Sequence, residues 1–165
     1  MSVMEFATSP RGILTLVAVV GAVLVLGAGT MSRVKKISPV SWGWYGAVNQ
    51  TGGAALAGYD PMSMHAGGAV LGSASHSLNW NGATWRFAND ANRVAFEAAP
   101  EKYAPAFGGF CGFAMSKGFT AVSDPTAWHV EGGQLYVFND ANFRDKWLAD
   151  MTANRSLSEA SWAKR

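Results

Sequence analysis

A single cysteine, Cys111, stands in 165 residues, which excludes an internal disulfide and any site built from several thiolates of this chain. Charge is scarce as well, at 15% of residues, there is no Gly-x-Ser-x-Gly elbow, and no paired carboxylates stand out with a helix spacing that would face them together. The usual hydrolase arrangements are therefore missing. A basic stripe is missing too. Beyond residue 37, nine Lys and Arg stand against ten Asp and Glu, so the bulk of the chain is near neutral and carries no nucleic-acid footprint. The net charge of +2 comes from a short basic patch at Arg33, Lys35 and Lys36, suited to lipid headgroups.

The stretch at residues 12–31, GILTLVAVVGAVLVLGAGTM, carries no charge in twenty residues and is apolar almost throughout. At about 1.5 Å per helical residue it reaches roughly 30 Å, the hydrocarbon thickness of a bilayer. It exceeds the apolar core of about 7 to 15 residues in a cleaved signal peptide, although Gly27, Ala28 and Gly29 offer a place for a cut. An uncleaved single transmembrane helix behind an N-terminal tail, residues 1–11, is the expectation. Lys and Arg counts put the basic side, and with it the rest of the chain, on the cytoplasmic face. Residues 32–53, rich in Gly, Ser, Asn and Gln, read as a tether, with Trp42, Trp44 and Tyr45 available to the bilayer interface or to a partner. The sequon Asn49-Gln50-Thr51 reads as a chance match.

The remaining residues, 54–165, are enough for one domain with a real core. Ser77–Trp80 and Ala83–Phe87 alternate around Asn81-Gly82, the strongest short hairpin signal. Asn89 or Asp90 then caps a helix that Pro100 stops. Gln134–Phe138 reads as a strand, and Asn139-Asp140-Ala141-Asn142 opens a second helix with Phe143, Trp147 and Leu148. The tetrapeptide Asn-Asp-Ala-Asn occurs in both places. Four residues with no fixed period point to one capping solution used twice rather than to a repeat. Tyr103–Gly118 and Asp124–Trp128 read as loops and a short helix. The class is α+β, with short antiparallel strands and helices in one small domain.

Candidates for chemistry are few. Cys111 lies between glycines in Gly108-Gly109-Phe110-Cys111-Gly112, where it is a redox thiol if something depresses its pKa and a packed core thiol if nothing does. Together with His65 and Met64 it makes the first candidate set for copper or another soft metal; His76, His129 and Met115 are further donors, none at a recurrent ligand spacing. Asp60, in Gly58-Tyr59-Asp60-Pro61, has the context of a turn.

The segments LAGYDPM (56–62), SLNWNGATWRFANDANRVAFEAAPEKYAPAFGGFCGFA (77–114), DPTAW and GGQLYVFN resemble, in order and spacing, the bacterial YHS domain-containing proteins. The resemblance implies a small α+β domain, exported behind a signal peptide or anchor, and so favours the periplasmic side against the charge count. It also implies a distant relation to metal-handling modules whose thiolates occupy places that here hold Ser63, Ala88 and Ala91. The expected function is a non-catalytic, membrane-anchored interaction domain, an accessory subunit of a larger membrane complex whose partners are the bilayer and other subunits. The alternative is a soft-metal protein built on Cys111 with His and Met ligands.

Overall fold

A computed structural model of the chain describes residues 37–40, 43 and 45–165. The tail, the span at 12–31, Arg33, Lys35, Lys36, Trp42 and Trp44 lie outside the described residues. Among the described residues no helix is long and apolar enough to cross a membrane. Residues from Ser38 to Arg165 form one compact unit.

This unit is mixed α+β, with short antiparallel strands and helices. In chain order come β1 (Ile37–Pro39), β2 (Gln50–Thr51), β3 (Ala54–Ala55), a 3-10 turn (Leu56–Gly58), α1 (Pro61–His65), β4 (Ser73–Trp80), β5 (Ala83–Phe87), α2 (Asp90–Ala98) and α3 (Pro100–Tyr103). A second 3-10 turn (Ala106–Gly109) follows, then α4 (Gly112–Ser116), β6 (Phe119–Ala121), β7 (Asp124–Glu131), β8 (Gln134–Phe138), α5 (Ala141–Leu148) and α6 (Met151–Trp162). The strands pair as four two-stranded ribbons, β1 with β6, β2 with β3, β4 with β5 and β7 with β8.

The Asn81-Gly82 hairpin forms as its sequence requires. Both turn residues take positive φ, 50° and 72°, which matches the twist of the strands they join. Asn89 caps α2 by accepting the Asn92 N–H, and Asp140 caps α5 by accepting the Phe143 N–H. Asp124–Trp128, read above as loop, is instead the first part of β7, paired with β8 from Asp124↔Phe138 to Glu131↔Gln134. The tether reading also needs correction at its C-terminal end. Val40, Val48 and Asn49 are buried, and the Asn49 amide donates to the Gly109 carbonyl and to Ser123 Oγ. Segment 45–53 is thus held by the domain, and the sequon asparagine is spent on an internal bond.

The larger departure from the sequence reading is a duplication. Every element from the first 3-10 turn to α2 recurs 51 positions later, from the second 3-10 turn to α5. The two hairpins share one register: Ser77↔Arg86 to Trp80↔Ala83 corresponds to Trp128↔Val137 to Glu131↔Gln134, each after a bulge at the same place. The left-handed turn Leu56-Ala57-Gly58 corresponds to Phe107-Gly108-Gly109. Long bonds are repeated as well. The Asp60 N–H donates to the Val70 carbonyl and the Cys111 N–H to the Ala121 carbonyl. Each unit then closes its helix on its hairpin with aromatics, Phe96 against Trp85 and Phe87 at 5.1 and 5.2 Å, and Trp147 against Tyr136 and Phe138 at 4.8 and 5.5 Å. The repeated tetrapeptide conceals the period, because its copies are 50 apart while the capping residues Asn89 and Asp140 are 51 apart. A core of Met64, Trp85, Phe87, Phe96, Leu135 and Val137 draws on both units.

Candidate functional site

The duplication puts Asp60 and Cys111 in equivalent places, each preceding a one-turn helix and each buried. The Asp60 carboxylate accepts three bonds: from the Met62 N–H at 2.8 Å, the Ala88 N–H at 2.9 Å and the Asn92 amide at 2.6 Å. It ties α1 to the β5–α2 junction. In the second unit the Cys111 sulfur accepts the Asn139 N–H at 3.3 Å, the counterpart of the Ala88 bond. These two side chains clamp the same joint with different atoms.

Burial pushes the Cys111 thiol pKa up, and the Asp140 charge adds to the rise, while N–H groups of Ala114, Asn139 and Phe113 oppose it. A protonated, enclosed thiol is a poor nucleophile and a poor metal ligand. Because its pKa is higher folded than unfolded, the unfolded chain ionises first, so the stability Cys111 contributes is complete below the ordinary thiol value of 9.0 and lost as pH climbs beyond it. Unfolding followed from pH 7 to pH 10 should show an alkaline decline that is shallower in Cys111→Ala, and alkylation of the native protein at neutral pH should be slow. Rapid labelling would contradict the enclosed thiol.

The other metal candidates have separate occupations. Met64 is fully buried in the shared core. His65 donates through Nε2 to the Tyr103 carbonyl at 3.1 Å, its ring edge-on to Tyr103. His129 faces Glu131 at 3.4 Å. Among the described residues no group of three or more His, Cys, Asp or Glu side chains is placed to hold a metal ion. Tyr45 packs its ring on Phe110 at 5.7 Å, with its hydroxyl pKa raised by burial.

Two features appear where the units differ. The first is an edge. In the second unit β6 is covered by β1, Thr120 and Ala121 are 2% and 4% exposed, and the Val40 N–H donates to the Gly118 carbonyl. The matching stretch of the first unit, Gly67–Val70, has no strand beside it among the described residues, and Val70 and Leu71 are 47% and 63% exposed. No hydrogen bond from the described residues reaches the N–H or C=O of Ala69, the counterpart of Thr120. Next to this edge lies Arg86, where the second unit has buried Val137. Its Nε is enclosed without an acceptor among the described residues. Its Nη1 and the Leu71 Cδ1 lie 3.6 and 3.9 Å from where a Cβ on Gly58 would stand, so cation and apolar side chain are neighbours.

The second feature is a cleft of about 270 Å³ between the units, walled by Trp80, Trp85 and Trp162, with Asn81, Glu101 and Gln134 on its lining. A comparison of the sequence with itself at a shift of 51 pairs Val70 and Leu71 with Ala121 and Val122, and Trp80 with Glu131, whereas Trp162 lies outside the duplicated stretch. No protein-family model, no curated protein and no solved structure matches the chain.

Proposed function

We propose that the protein is a non-catalytic interaction module, anchored in a membrane by residues 12–31, and an accessory subunit of a larger membrane complex. Its kinship is with the YHS domain-containing proteins, and its domain works on the periplasmic side. The observation that carries this reading is the uncovered edge at Gly67–Leu71. The same backbone stretch is sheathed by a strand in one copy of the unit and has none beside it among the described residues in the other, which exposes Val70 and Leu71 beside Arg86, whose buried Nε has no acceptor among the described residues. Gly67, Gly68 and Val70 already donate within the unit, so what this edge offers an added strand is the N–H and C=O of Ala69. The fitting occupant is an extended segment of a partner subunit, lying on Gly67–Val70 as β1 lies on β6. Its apolar side chains cover Val70 and Leu71, and its carboxylate meets Arg86, the residue type that favours bidentate pairing.

The enclosed Cys111 and the bonded His65 support the non-catalytic part, since each is already engaged within the fold. Solubilised from its native membrane in mild detergent, the chain should co-migrate with other subunits. Leu71→Asp should release them while leaving the melting temperature unchanged, because Leu71 is exposed in the isolated chain. A partner-free monomer, or co-migration indifferent to Leu71→Asp, would refute the reading.

A further inference from the structure

We propose that the cleft between the two units binds an alkylated ammonium group, such as the trimethylammonium of choline. The scaffold itself does not call for this cleft. Trp80 ends β4 where the duplicate ends β7 with the exposed Glu131, and Trp162 comes from α6, outside the duplicated unit. Half-exposed Trp80 packs one part of its ring system on the core and leaves the rest bordering the cleft.

The lining selects the ligand's chemistry. Among the described residues bordering the cleft, Glu101 alone carries a formal charge, and it supplies the counter-charge a cation needs. Two of the hydrogen-bond donors on the lining are already taken. The Gln134 amide donates to the Ala104 and Leu135 carbonyls, and the Trp85 indole N–H to the Trp80 carbonyl. A quaternary ammonium asks for none: it needs π-faces, which tryptophan supplies best, and a nearby negative charge. Trp162 already holds a cation in this way, with the Arg165 guanidinium carbon 4.5 Å from its ring centre. The rings are also pre-set. Trp80 is fixed by Trp85 and Phe96, each at 5.8 Å. A volume of about 270 Å³ lies just under the range of pockets for drug-sized molecules and fits a headgroup.

The test is a tryptophan-fluorescence titration of the full chain in a maltoside detergent, with choline chloride against sodium chloride at equal ionic strength. The neutral carbon isostere 3,3-dimethylbutanol is run in parallel. A saturable response to choline is expected, at least about tenfold weaker for the isostere. Glu101→Gln should weaken choline binding roughly threefold to tenfold, and Trp80→Leu should abolish it. The melting temperature of each variant verifies that it folds, and Glu101 is exposed, so its variant keeps the test alive if Trp80→Leu unfolds. No saturation, equal binding of the isostere, or native binding by a folded Glu101→Gln would overturn the proposal. Given saturation, repetition in phosphatidylcholine nanodiscs identifies the source. A lipid headgroup would occupy the cleft and block free choline, whereas a soluble ligand's site would stay open. The edge at Gly67–Leu71 plays no part in this titration, so failure of one proposal leaves the other standing.

Discussion

Gly108→Ala is expected to lower stability by about 3 kcal/mol, and the melting temperature by roughly 10 °C for a domain of this size. Two costs combine. Gly108 holds φ at 60°, a left-handed conformation that costs an L-residue about 1 to 2 kcal/mol. A Cβ there would also collide with the Ala47 carbonyl oxygen, which belongs to backbone and cannot swing aside. The duplicate supplies the control. Its equivalent, Ala57, sits at φ 50° and already bears the strain. Ala57→Gly should therefore be neutral to stabilising, by up to about 1 kcal/mol, since relief of strain exceeds the added chain entropy of glycine. Paired denaturant titrations of the two variants measure both effects. Equal effects of the same sign would mean that the two turns are not equivalent.

Asp60→Asn is expected to cost about 3 kcal/mol although it changes one atom. Three donors converge on the carboxylate, two of them on Oδ2, and no side-chain cation stands among its bonded partners. An asparagine keeps one acceptor. Whichever way its amide turns, an NH2 group faces an N–H donor in a fully buried place, and hydrogen bonds to a charged acceptor are lost together. Asn92→Ala, which removes one of the three donors from a half-buried position, should cost less, about 1 kcal/mol. Urea melts of both variants decide the order, and a cost for Asn92→Ala equal to that of Asp60→Asn would deny the carboxylate its role as the joint between α1 and α2.

Why parts of this fold were legible and others hidden follows from where its information sits. The hairpin at Asn81-Gly82 and the Asn89 cap depend on a few adjacent residues whose side chains and φ angles are nearly diagnostic. Asp124–Trp128 read as loop because Asp124-Pro125 looks like a turn, yet Pro125 lies in the bulged stretch between the paired Asp124 and Trp128, where a missing N–H costs no ladder bond. The duplication survives mainly at turn glycines and core positions such as Gly58/Gly109, Met64/Met115, Gly82/Gly133 and Phe87/Phe138. At the clamp, aspartate in one unit and cysteine in the other differ in charge and size and share only the ability to accept an N–H. In the sequence Asp60 reads as a turn former and Cys111 as a redox or core thiol; only their common position joins them. The cleft and the edge were hidden for the same reason, since Trp80, Val70 and Leu71 are unremarkable singly and acquire meaning against Glu131, Ala121 and Val122.

Addition of a partner's strand to the uncovered edge would be read out at one backbone amide. Hydrogen exchange at Ala69 should be fast in the isolated chain, since none of the described residues accepts its N–H. In the complex solubilised from the native membrane it should be strongly protected, and Leu71→Asp should abolish that protection. Equal exchange at Ala69 in the isolated chain and in the intact complex would contradict the account.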